Sequence, residues 1–141
     1  NAPLIAKDRG IEIVESKSKE AKDFASLIKV KVVSAQGSRE VGGTVFVGVG
    51  DRLVLIDGYR VDADPVGYLL ILSNIDKPGM IGKVGTCLGQ HGINIASMDV
   101  GRIKINDKAV MVLNVDNAVS DTVLNDLTKI DGITDATLVK L

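Results

Sequence analysis

Asn74, Asp76 and Asn94 are the residues whose types and spacing best suit chemistry on a small molecule. The first two stand in Asn74-Ile75-Asp76-Lys77-Pro78-Gly79, where a strand gives way to a helix. Asn94 follows eighteen residues after Asp76, inside Gly92-Ile93-Asn94-Ile95-Ala96. Free N–H groups at the start of a helix, here those of Gly79, Met80 and Ile81, can hold a carboxylate. Asp76 can pair with an ammonium alongside, and Asn94 can both donate and accept hydrogen bonds. A zwitterionic amino acid offers both charges at once. Asp76 also has a plainer use, because a carboxylate just before a helix is a common N-cap worth about 1 kcal/mol. The residues alone leave both uses open.

Other chemistry-bearing residues lack such a setting. His91 is the only histidine and Cys87 the only cysteine. His91 falls at a helix end, where the helix dipole favours a cation. Cys87 falls on an apolar helix stripe and reads as a small core hydrophobe rather than a reactive thiol. One Cys and one His do not make the usual structural zinc site, so no metal is expected. Gly48-Val49-Gly50 comes nearest to a nucleotide-binding turn, but Leu53 stands where the third glycine belongs. No catalytic residue is therefore assigned. Arg52 and Arg60, with Lys29 and Lys31 near them, are candidates for an anion site, since a phosphate or carboxylate suits arginine's planar fork. The same residues also fit a solvated sheet face.

Composition narrows the class. Seventeen basic residues stand against eighteen acidic ones, and no basic stripe with interleaved aromatics occurs, which argues against nucleic acid as a partner. No apolar run approaches the roughly 20 residues of a membrane span. Hydrophobic residues reach 45% while aromatics reach only 3%, so the core must be Val, Ile and Leu, as suits β-rich packing. A lone cysteine permits no intrachain disulfide and fits a reducing cytoplasm. Asn1-Ala2-Pro3 is no signal peptide. An apolar segment begins at once, as expected of a cloning remnant or of a boundary cut within a longer chain.

The elements that must position these residues follow from periodicity. Asn1, Pro3 and Gly10 fit the cap, first turn and end of a short helix. Residues 11–15 read as a short strand and 16–23 as a charged loop. From Leu27 the period is two, with Ile28, Val30 and Val32 on the buried side of a half-buried strand. Residues 41–49 continue it, with Val45, Val47 and Val49 on one face. Residues 52–56 and 59–62 flank the two-residue hairpin signal Asp57-Gly58. Residues 63–67 are the best linker. Tyr68–Ile75 then reads as a central strand. A helix opened by Pro78 and Gly79 follows, with Met80, Ile81, Val84, Cys87 and Leu88 as its buried stripe. Residues 93–101 and 109–115 pair through a turn at Asn106-Asp107. Ser120 caps a second helix with Val123, Leu124, Leu127 and Ile130 inward, and residues 133–139 close the set. Gly82, Gly85 and Gly89 share one face of the first of these helices, each at about 1 kcal/mol against alanine. Either tight packing on the other helix, or close approach of a second backbone or a ligand, would use them. The expected fold class is α+β. A small antiparallel β-rich domain at 1–65 precedes a ferredoxin-like βαββαβ domain at 66–141, whose open edges invite pairing with another copy.

The order of elements, together with the Asn74/Asp76 turn and Asn94, resembles an ACT domain, a module that binds a small amino acid and regulates an attached enzyme. The resemblance runs end to end. Asn1-Ala2-Pro3-Leu4-Ile5-Ala6, Gly43-Thr44-Val45-Phe46, Ile56-Asp57-Gly58-Tyr59-Arg60 and the whole segment from Tyr68 are similar to the C-terminal regulatory part of the D-3-phosphoglycerate dehydrogenases. There an intervening substrate-binding-like domain precedes the ACT domain. The resemblance implies NAD-dependent oxidation of 3-phosphoglycerate, at the start of serine synthesis, by a catalytic part outside this chain. No cofactor is implied within it. It implies L-serine as ligand at the contact of paired ACT domains, in a homodimer or tetramer, for feedback inhibition. The family's site positions match Asn74, Asp76 and, from the partner, Asn94. It also implies an anion on Arg52, with Arg60 close by, although a further basic position is Asp64 here. A similar domain pair occurs in the β subunit of iron–sulfur L-serine dehydratases. A ligand-free oligomerisation module is the alternative of another class.

Overall fold

The computed structural model describes residues 2–18 and 24–141. Helix α1 (Ala2–Asp8) opens the chain and is followed by residues 11–18 without regular structure. A meander comes next: β1 (Ile28–Ser34), β2 (Gly37–Phe46), β3 (Gly50–Ile56) and β4 (Tyr59–Ala63), antiparallel in the order β1-β2-β3-β4. The second half runs β5 (Tyr68–Ile75), α2 (Met80–Gln90), β6 (Ile95–Arg102), β7 (Lys108–Val115), α3 (Asp121–Thr128) and β8 (Ile133–Lys140). Its sheet has the order β6-β7-β5-β8, antiparallel throughout, which is the ferredoxin-like arrangement. The fold is α+β, as the sequence predicts.

Period-two alternation decides which side of β5 and β7 faces what. Leu70, Leu72, Met111 and Leu113 point toward the helices and are closed over by Met80, Val84 and Leu88 from α2 and by Val123 and Leu127 from α3. Full burial of such a side chain contributes about 1.5–3 kcal/mol. Leu69, Val110 and Val112 point the other way, onto Ile56, Val61 and Ala63 of the first sheet. The opposite face of the second sheet is thus covered by β3 and β4 rather than left bare. The join is tight. The Asn114 side chain donates to the carbonyls of Asp64 at 2.9 Å and Val66 at 3.3 Å and accepts from Ser97 Oγ at 3.0 Å, which stitches the connecting segment to β7. The Asp62 N–H donates to Asp99 on β6 at 3.0 Å.

Local signals explain the turns. Asp57 and Gly58 take φ of 48° and 85°, as a two-residue hairpin demands. Ser120 caps α3, its hydroxyl accepting from the Val123 N–H at 3.4 Å.

The structure departs from several sequence expectations. Residues 11–15 form no strand: among the described residues no strand pairs with them, and a lone extended segment is not stable without one. The expected loop over 16–23 and the cap at Asn1 fall partly or wholly outside the described residues. β1 forms, but Ile28, Val30 and Val32 are all exposed, because β1 is the sheet edge and no described residue covers that face. β2 stops at Phe46, so Val47 and Val49 lie in a turn and not on a strand face. Ile81 leaves the buried stripe of α2 and is 56% exposed, since the helix begins only at Met80 and turns its second residue outward. Gly82, Gly85 and Gly89 do not pack on α3, for a Cβ added at any of them meets nothing within 4 Å.

Candidate functional site

The turn from β5 into α2 is made by Lys77-Pro78-Gly79, and Gly79 is its hinge. Gly79 takes φ 85° and ψ −6°, a left-handed conformation that costs other residues a Cβ clash, and it serves as the helix N-cap with no side-chain bond. Asp76 is therefore not the cap. Its N–H donates to the Asp107 carbonyl at 2.7 Å. Its Oδ2 accepts from Arg102 Nη1 at 3.1 Å and from the Asn106 N–H at 3.3 Å. Asn106 has φ 60°, a left-handed turn position that asparagine tolerates. The carboxylate is thus fastened to the β6–β7 turn, leaving the first turn of α2 without an acidic partner.

Asn74 stands two residues before, on the helix side of β5. It is 3% exposed, and its Nδ2 donates to the Ile75 carbonyl at 2.9 Å, while its Oδ1 is buried with no partner. An unmet buried acceptor costs about 1–3 kcal/mol. Asn74, Asp76, Gly79, Met80, Ile81 and Arg102 together line a cleft of about 430 Å³, within the roughly 300–1,000 Å³ range of small-molecule sites. Met80 is buried and forms the wall toward the core, its N–H directed to the Lys77 carbonyl at 3.4 Å. Ile81 stands on the rim. The amides of Ile81 and Gly82 are first-turn donors, which have no intrahelical acceptor.

Asn94 does not join them. It is exposed between α2 and β6, with its Nδ2 on Asp116 Oδ2 at 2.7 Å. It precedes β6, whereas Arg102 ends it, a span of roughly 25 Å at the strand rise. Within one chain Asn94 and Asp76 lie at opposite ends of the sheet.

The arginine pair of the first domain is also not assembled as an open anion site. Arg52 lies 2.7 Å from Asp64 and 3.5 Å from Asp62, so two carboxylates already answer its charge. Arg60 stands opposite Leu55, three positions along β3, and is not its neighbour in the ladder. The departure from the family at Asp64 thus shows in the structure as an ion pair with Arg52.

A broader groove of about 830 Å³ lies between α2 and α3, bordered by Cys87, His91, Asp126 and Asp131. It is larger than the Asp76 cleft but its acids are already matched. Asp126 meets His91 Nε2 at 3.2 Å and Lys129 at 2.8 Å, and Asp131 meets Lys77 at 2.6 Å. Burial, and then the nearby Asp126, push the Cys87 thiol up from its ordinary value, away from the thiolate that a nucleophile needs. No group of three or more His, Cys, Asp or Glu that could hold a metal occurs among the described residues. No helix there is long and apolar enough to cross a membrane.

Sequence reasoning missed Arg102 and Asn106. Neither belongs to a local motif; only the pairing of β6 with β7 brings their turn back over Asp76, and the Asn106-Asp107 turn signal was the sole hint.

Comparison with known proteins follows the same division. Residues 68–132 match the ACT domain, and residues 1–57 match the D-3-phosphoglycerate dehydrogenase intervening domain. The class is thus a regulatory region with an ACT domain. Over its whole length the chain is 43% identical to a D-3-phosphoglycerate dehydrogenase of Archaeoglobus fulgidus, 39% to one of Methanocaldococcus jannaschii and 36% to one of Synechocystis. It spans about a quarter of the curated relatives it matches, 27%, 26% and 26% of these three. The chain matches the C-terminal regulatory region of the D-3-phosphoglycerate dehydrogenases.

Proposed function

We propose that this chain is the effector-sensing region of a D-3-phosphoglycerate dehydrogenase and that it binds L-serine in the Asp76 cleft for feedback inhibition. The observation that carries this reading is the cleft where Asn74, whose Oδ1 has no hydrogen-bond partner, stands beside the Asp76 carboxylate and the first turn of a helix. Asp76 receives the ammonium, the N–H groups near Gly79, Met80 and Ile81 that remain open receive the carboxylate, and Asn74 lines the wall beside the ligand. The distance of Asn94 from this cleft favours its acting from a second copy, paired side by side through the ACT domains. The uncovered glycine face of α2 leaves room for such an approach. A ligand held between two subunits shifts the catalytic parts only through unequal affinity for their arrangements, and a shared site provides that inequality. The dehydrogenase chemistry, with NAD and 3-phosphoglycerate, belongs to a catalytic part outside these residues, in a cytoplasmic homo-oligomer.

Calorimetric titration of the chain with L-serine, using glycine and D-serine as controls, tests the reading. Saturable binding of L-serine with at least tenfold weaker binding of both controls is expected. Absence of binding by a folded dimer would remove the sensor and leave an oligomerisation module.

A further inference from the structure

The charge balance of the Asp76 cleft points to a residue that the family motif does not supply. Among the described residues the charged side chains lining the cleft are Asp76, Lys77 and Arg102. Lys77 Nζ lies 2.6 Å from Asp131 Oδ2, outside the cleft lining, so its charge is answered there. What remains facing a ligand is one anion and one cation, 3.1 Å apart.

The two are unequally placed. The Asp76 side chain is 21% exposed and the Arg102 side chain 54%. Both bonds to the carboxylate fall on Oδ2, while Oδ1 carries none among the described residues. Only Nη1 of Arg102 is engaged by Asp76, and a guanidinium has five N–H donors in a planar fork. An ion pair of this form presents an acceptor and a set of donors side by side. A molecule with an ammonium one carbon away from a carboxylate can lie antiparallel to it, so that four charges alternate in sign.

We propose that Arg102 is the specificity-determining residue that makes this cleft take zwitterionic amino acids in preference to amines, by pairing with the ligand's carboxylate while Asp76 takes the ammonium. The inference rests on the amino-acid reading above and adds to it the group that excludes simple cations. Without Arg102 the cleft faces its ligand with a net charge of minus one. It then holds an ammonium on Asp76 with only the neutral α2 amides left to favour an accompanying carboxylate. Arginine suits the task better than lysine, because its planar fork has five donors to divide between Asp76 and a second carboxylate.

The test compares L-serine with L-serinamide, which keeps the ammonium and hydroxymethyl group and replaces the carboxylate by a neutral amide. Both are titrated into the wild-type chain, Arg102→Gln and Arg102→Lys, each verified by circular dichroism. The wild type is expected to prefer L-serine at least tenfold. Arg102→Gln should lose at least tenfold in serine affinity and hold serinamide at or above the wild-type level, which narrows the preference to what the α2 amides alone provide. Arg102→Lys should fall between the two. A wild-type serine-to-serinamide ratio retained in Arg102→Gln overturns the assignment while leaving the serine site standing. If Arg102→Gln does not fold, the same ratio in Arg102→Lys decides, and an unchanged ratio there overturns it. A wild type that binds neither compound overturns the amino-acid reading and this inference together.

Discussion

Gly101 of β6 lies so close to Arg60 of β4 that a Cβ added to it would stand 2.5 Å from the Arg60 carbonyl oxygen. The same added atom would stand 3.1 Å from side-chain atoms of both Tyr59 and Val61. The first sheet therefore rests directly on the backbone of the second, one residue before Arg102. Gly101→Ala must push β4 away or bend β6, and overpacking of this kind costs about 1–3 kcal/mol. Urea denaturation should report a loss in that range, and an unchanged midpoint would mean that the two sheets are not held in this contact.

Asp76→Ala removes the ammonium partner and frees Arg102 and the Asn106 N–H together. L-serine affinity is expected to fall at least a hundredfold, while far-ultraviolet circular dichroism stays unchanged because no helix cap is lost. Calorimetry on the variant gives the answer, and wild-type affinity would move the ligand elsewhere.

Asn114→Leu preserves bulk but takes the side-chain donor from the Val66 carbonyl and leaves the Asp64 carbonyl with the Val66 N–H alone. The expected destabilisation is about 1–3 kcal/mol. It should appear as a lowered thermal midpoint together with faster amide exchange at residues 64–67. A melt equal to that of the wild type would show water replacing the side chain at no cost.

Asp131 is held below the usual carboxylate range by its hydrogen bond from Lys77 and by that residue's charge. A carboxyl group lowered in the folded state adds stability above its unfolded value, near about 3.9. That contribution is lost as the pH falls through the folded value. Lys77→Met should return the Asp131 titration, followed by carboxyl NMR, toward the ordinary range. An unmoved midpoint would dissolve the Lys77–Asp131 pair in solution.

Much of the second domain was readable in the chain. Tyr68–Ile75 is apolar at nearly every position because β5 is interior to its sheet and buried on both faces, and Ser120 announces α3 by capping it. Strand alternation carries less information about burial. Ile28, Val30 and Val32 alternate correctly and form a strand, yet whether a face is covered depends on what lies over it, which periodicity does not encode. The site was half readable for a similar reason. Asn74 and Asp76 adjoin a strand-to-helix turn and declare themselves, whereas Gly79 took the capping role by adopting φ 85° and released Asp76 for contacts from a distant turn. Arg102 reaches Asp76 across 26 residues, and Asp64 reaches Arg52 across a hairpin, so neither pair leaves a local trace.

β7 has one hydrophobic core on each side of it, with Met111 and Leu113 in the first and Val110 and Val112 in the second. Neither core can come apart without wetting the back of the same strand. The two halves of the molecule are thereby thermodynamically married: heating or denaturant should take them through one concerted transition, and β7 amides should be among the last to exchange with solvent.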